Sequence, residues 1–218
     1  MAEFRQSATL RGSAAETRLH LSTAFRWRHA LLGAMGVREH ISLAGTIEYT
    51  QMGFSYSEKG ARDVDNPRRR GMRGRGWEWY QTERADAALL YGRAGTAFGC
   101  TLLPSWRASI DTLVLPKLAE RCTIMSSDLP LGRMSMAARR GGHQHVTVSG
   151  RGRYAPDGVR HLENVSAYAG RLRQWIMRFR GVATRYLDNY LLWHRAVDPE
   201  LGMTWVMALV RGVSRAPP

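Results

Sequence analysis

The sequence is short of acid. Eighteen Asp and Glu stand against 32 Lys and Arg, which leaves a formal net charge of +14 over 218 residues. An excess of that size points to a polyanionic partner, nucleic acid first and an anionic membrane surface second, with a basic ribosome-like structural role as the alternative. Cysteine is nearly absent. Cys100 and Cys122 are the two present and form no C-x-x-C pair, which excludes a zinc ribbon, argues against a disulfide framework and suits a reducing cytoplasm. Long hydrophobic runs are missing as well. The apolar stretch "MTWVMALV", Met203 to Val210, falls far below the roughly 20 residues a bilayer span needs and suits a packed helix or strand rather than an anchor; nucleic acid, and no membrane, is the expected partner. The opening residues contain acids and no long apolar stretch, which argues against a signal peptide. At 44% hydrophobic the chain can still bury a core, and its length suits one medium domain or a domain with a small appendage.

What is there begins with two short helices over residues 6–36. Leu10, Ala14 and Ala15 recur at helical spacing, a break falls near Leu19-His20, Ser22 offers an N-cap, and Ala24, Trp27, Leu31 and Leu32 continue at a period near 3.6. With Arg26, Arg28 and His29 exposed, this has the form of a helix-turn-helix whose second helix enters a DNA groove. An ordinary helical hairpin with a solvated basic face is the equal alternative.

From Ile41 the period changes. "ISLAGTIEYTQMGF" suits a strand, and "ARDVDNPRRRGMRGRGW" suits a loop in which Arg68, Arg69 and Arg70 either track phosphates or are simply solvated. Ala87–Tyr91 and Thr96–Leu103 read as a hairpin turning at "GRAG". An amphipathic helix is expected over "SWRASIDTLVLPKLAERC", ended or bent by Pro116. A short buried strand ending at Asp128 follows, then a helix, then a strand in which His143 and His145 alternate as structural residues.

Last comes a basic, aromatic helix starting at "HLENVSAYAGRLRQW". No acid occurs from Asn164 to Leu187, while Arg171, Arg173, Arg178, Arg180 and Arg185 alternate with Tyr168, Trp175, Phe179 and Tyr186. Arg171, Arg173, Arg178 and Arg180 are the phosphate candidates, with Trp175, Phe179 and Tyr186 packing on the sheet. The element order is that of an α/β RNase H-like domain. Three parts are expected: a helix-turn-helix segment over 1–38, the RNase H-like domain over 39–195 and a C-terminal tail over 196–218.

"LSTAFRWRH", "PRRRG", the "SD" after a buried strand and "RFRGVATRYLDNYLLWHR" together resemble the bacterial insertion-sequence transposases of the DDE type, in the group numbered fifteen ninety-five. The resemblance runs roughly from Ser13 to Arg195. It implies an RNase H-like domain that binds double-stranded DNA ends as a homo-oligomer and uses two Mg²⁺ (or Mn²⁺) ions for strand cleavage and transfer. It also implies a zinc-ribbon segment ahead of the helix-turn-helix; this sequence shows none and so reads as a shortened product.

The resemblance further implies three ligand positions, where a hard cation wants charged oxygens. The group's first-strand motif reads E-A-D-E-T with Asp as the ligand, and the matching residues here are Glu48, Tyr49, Thr50, Gln51 and Met52. The first position is therefore Thr50. The second is Asp128, and the third, in a motif resembling H-x-x-N-V-x-A-Y, is Ser166. Two of three ligands are substituted, so catalysis is expected to be impaired, and a non-catalytic DNA-binding protein derived from a transposase is the alternative. Glu48 shares a strand face with Thr50, and Glu163 lies one helical turn before Ser166. Glu48, Asp128 and Glu163 are thus candidates for a displaced acidic triad, with capping roles for Glu48 and Glu163 the more ordinary reading. His161 either assists near such a site or caps the helix.

Overall fold

The computed structural model describes residues 9–37, 41–63, 84–102, 110–127, 132–148 and 158–201. Asp128, Arg68, Arg69, Arg70 and Met203–Val210 lie outside the described residues. Two compact units are present, one of residues 1–40 with 188–218 and one of residues 41–187. Residues 188–195, expected with the sheet, thus group with the N-terminal helices.

The first unit holds α1 (Leu10–Thr17), α2 (Leu21–Val37) and, from Asp188 on, α5 (Leu187–Val197). Thr9 caps α1 by accepting the Gly12 N–H at 3.2 Å, and Arg18, at φ 54°, turns the chain out of it. The start of α2 is capped by His20, whose Nδ1 accepts the Ser22 N–H at 3.3 Å, so Ser22 is not the N-cap.

The expected exposed face of α2 needs correcting. Arg28 and His29 are buried, Trp27 is 63% exposed and Leu31 48%. Only Arg26 of the three basic residues faces solvent. The reason is tertiary. The Arg28 guanidinium lies 4.9 Å over the Trp193 ring of α5 and donates to Ser13 Oγ of α1. His29 meets the Phe25 ring edge-on at 4.5 Å and shares a 3.0 Å hydrogen bond with Asn189. Buried Ala24, Arg28 and Leu32 follow i, i+4 spacing, and that arc leaves Trp27 outside.

The second unit is a mixed five-stranded sheet with flanking helices, an α/β arrangement consistent with the RNase H-like class. Its strands are β1 (Thr46–Ser55), β2 (Arg84–Gly92), β3 (Thr96–Leu102), β4 (Thr123–Ser126) and β5 (Gln144–Thr147), in the order β3-β2-β1-β4-β5. The first three are antiparallel; β4 runs parallel to β1, and β5 parallel to β4. The β2–β3 connection is Arg93-Ala94-Gly95, and Gly95 has φ +86°. A three-residue hairpin loop needs a left-handed residue there, which only glycine adopts without strain. α3 (Arg133–Arg140) crosses from β4 to β5.

Strand alternation divides the core. Ile47, Tyr49, Leu90, Cys100 and Ile124 pack with Met134, Ala137 and Ala138 of α3 on one face. Glu48, Thr50 and Met52 share the opposite face, where α4 (Glu163–Met177) lies across β1 and β2. α4 buries Val165, Tyr168, Leu172 and Trp175, the i, i+3, i+4 stripe of a helix on a sheet, with Tyr168 6.2 Å from Tyr91 between ring centres.

Two element expectations change. The helix expected over "SWRASIDTLVLPKLAERC" is, in its described part, one π turn at Ile110–Val114 and a 3-10 turn at Leu115–Lys117, after which Leu118 bridges to Leu43. Pro116, which lacks an N–H, sits in the 3-10 turn. The basic helix also stops earlier than its acid-free sequence suggests. It ends at Met177, Arg180 and Gly181 take φ of 50° and 93°, and Lys59 Nζ donates to the Phe179 and Gly181 carbonyls at 3.3 and 2.9 Å. Tyr186 belongs to a separate 3-10 turn, and Phe179 packs edge-on against Trp175 at 4.9 Å. Among the described residues no helix is long and apolar enough to cross a membrane.

Candidate functional site at the start of the basic helix

β1 is the central strand, paired on both sides, so a side chain on its α4 face is buried between sheet and helix. Glu48 sits there, opposite Tyr91 of β2 and Met125 of β4, and is fully buried. A carboxylate so placed must be hydrogen-bonded or neutralised. Glu48 is both. Its Oε1 accepts from Asn164 Nδ2 at 2.7 Å and from Arg93 Nε at 3.1 Å. Its Oε2 accepts the Val165 backbone N–H at 3.0 Å. Val165 is in the first turn of α4, whose leading N–H groups have no partner within the helix and carry the positive end of its dipole. Glu48 therefore caps α4 from another element, since Leu162 at the N-cap position makes no side-chain capping bond.

Arg93 comes from the β2–β3 loop. Its backbone N–H donates to the Thr46 carbonyl at 3.0 Å, which anchors the loop beside the start of β1. Its guanidinium also donates to the carbonyls of Val159 at 2.6 Å and His161 at 3.4 Å, the residues leading into α4. One side chain thus joins the hairpin loop, the central strand and the entry to the helix. His161 Nδ1 accepts the Glu163 N–H at 3.4 Å, a capping contact, and lies 3.6 Å from Glu48.

Of the ligand positions expected from the sequence, Thr50 is half-buried on the Glu48 face of β1, while Ser166 and Glu163 are exposed on α4. Asp128 lies outside the described residues. Among the described residues no group of three or more His, Cys, Asp or Glu is placed to hold a metal ion. Among the described residues the donor set does not fit one either. Both Glu48 oxygens already receive N–H donors, one of them cationic, while Thr50 and Ser166 carry no charge.

The phosphate candidates divide. Arg173, Arg178 and Arg180 are exposed, whereas Arg171 is half-buried with its guanidinium 6.0 Å from the Tyr168 ring centre. Arg178 lies 5.9 Å over Trp175. Buried Arg28 has its guanidinium committed inside the helical unit, and Arg68, Arg69 and Arg70 are not described. His143 Nδ1 accepts the Cys122 N–H at 3.3 Å, just ahead of β5 and β4, and His145 Nε2 lies 2.8 Å from Ser126 Oγ between those strands. Sequence reasoning missed Arg93 and Asn164. Asn164 stands within "HLENV" and is a legible signal. Arg93 stands in "GRAG", which reads only as a turn.

No protein-family model and no curated protein matches the chain. A solved structure described as "Crystal structure of a pre-cleavage Mos1 transpososome" aligns with 94% of this chain and 74% of its own, at 10% identity and a TM-score of 0.25. A likeness of that size decides nothing about function.

Proposed function

We propose that this protein binds duplex DNA without cutting it, on a scaffold resembling an insertion-sequence transposase. The observation that carries the reading is the acid-free segment 164–187, which exposes Arg173, Arg178 and Arg180 in a chain of net charge +14. Guanidiniums with no nearby acid on their own segment are free to neutralise phosphates and release counterions. The motif resemblance supports DNA over another polyanion. The substituted ligand positions and the bonding of Glu48 support a loss of chemistry. A reaction slows tenfold for each ~1.4 kcal/mol of transition-state stabilisation that is removed, and residues acting as a unit fail together. Two substituted positions and an already bonded Glu48 leave little to act with.

The test is retardation of end-labelled duplex from the flanks of the gene, with Mg²⁺ or Mn²⁺, across a salt series. The expected result is shifted, uncut DNA whose affinity falls steeply with salt. Replacing Arg173, Arg178 and Arg180 together by Ala is expected to flatten the log–log salt slope by about 0.9 for each phosphate no longer neutralised. Breaks at a defined position that vanish in Asp128→Ala would instead establish a working strand-cleaving enzyme.

A further inference from the structure

We propose that Arg93 is a built-in counter-cation for Glu48, serving in place of a divalent metal to hold the sheet and the start of α4 together. The proposal rests on the non-cutting reading and deepens it. Its first ground is charge. Glu48 is fully buried on the central strand, and among the described residues the cation within bonding distance that does not depend on a histidine proton is Arg93, at 3.1 Å. One carboxylate and one guanidinium cancel. A divalent ion brought to the same oxygens would meet the guanidinium at close range, and two of the three ligand positions expected from the sequence, Thr50 and Ser166, carry neutral hydroxyls rather than balancing acids.

The second ground is connectivity. A metal site of this kind would tie a strand to a late helix by sharing ligands. Arg93 makes the same tie with hydrogen bonds, to Glu48 on β1 and to the Val159 and His161 carbonyls ahead of α4. Asn164 and the Val165 N–H complete it from the helix side. The guanidinium is suited to this because its donors are fixed in one plane and it stays charged. The consequence is a helix, and with it the exposed arginines Arg173, Arg178 and Arg180, held in position without metal.

The experiment is thermal unfolding of the full chain in EDTA and in millimolar Mn²⁺, for the wild type, Glu48→Gln, Arg93→Gln and the double variant. The wild type is expected to melt at the same temperature in both buffers and to retard DNA equally in both. Arg93→Gln is expected to melt lower, because it strands a buried carboxylate. The double variant is expected to recover part of that loss, or to fold where Arg93→Gln does not. A wild-type melting temperature that Mn²⁺ raises, with the rise absent in Glu48→Gln, would overturn the proposal. So would a double variant no more stable than Arg93→Gln. Nicked DNA with an unchanged melt would sink the non-cutting reading alone, and a metal-raised melt that Glu48→Gln abolishes, without nicking, would sink this one alone.

Discussion

Glu48 shows how much one residue's meaning depends on its surroundings. On a solvated strand it would be an ordinary acid. At full burial it needs partners, and it finds a guanidinium, a side-chain amide and a helix N–H. Cys122 is governed by burial too. It is fully buried, and its thiol donates to the Ala119 and Leu43 carbonyls at 3.0 and 3.2 Å. Burial pushes its ionisation up from the usual 9.0, outweighing the lowering from backbone hydrogen bonds. The thiolate is the reactive form. Cys122 is therefore expected to resist iodoacetamide in native buffer and to be alkylated only along the unfolding transition. Mass spectrometry after timed labelling checks this, and labelling at the rate of a free thiol without denaturant would contradict the buried placement.

At the scale of elements, α4 is held at both ends by residues from elsewhere, Glu48 and Arg93 at its start and Lys59 at its end. Between them, Gly170 is a weak point. It is exposed within the helix, and a methyl group added there would meet nothing within 4 Å. Glycine in a helix interior costs about 1 kcal/mol relative to alanine. Gly170→Ala is expected to stabilise the sheet unit by roughly that amount, read as a higher urea midpoint at unchanged m-value. A lower midpoint would mean that Gly170 has a close neighbour.

The helical unit formed by α1, α2 and α5 carries its own pH dependence. Tyr190 is buried, and burial raises its hydroxyl above the usual 10.0 more than Arg28 lowers it. Around that pH the folded unit holds more protons than the unfolded chain. Stability from this group is present below pH 10 and falls as pH rises through the folded value. Arg195, pushed down to about 10 by burial, works the other way: the folded unit holds fewer protons, and stability rises as pH climbs above about 10. Tyr190→Phe is expected to lose less stability on going above pH 10 than the wild type, checked by urea melts followed by circular dichroism. An unchanged alkaline slope would show that Tyr190 does not titrate with unfolding.

For the molecule as a whole, charge is the property most legible in the sequence. Net charge and the acid-free run need no fold to be counted, and counterion release depends on them directly. The strand alternation of Ile47 and Tyr49 against Glu48 and Thr50, the β2–β3 turn and the break between α1 and α2 were legible for a related reason. Each follows from backbone periodicity or turn chemistry acting within a few residues. What only the tertiary structure decided is which side of each element faces inward and what each buried charge meets. Trp27 faces out and Arg28 in because Trp193, far along the chain, supplies the ring on which Arg28 lies. Glu48 caps α4 because Arg93, Asn164 and Val165 reach it from 45, 116 and 117 residues away. Local pattern cannot encode partners at such separations; they are selected when the sheet and its helices pack, by the cost of leaving a buried carboxylate or guanidinium without a bond.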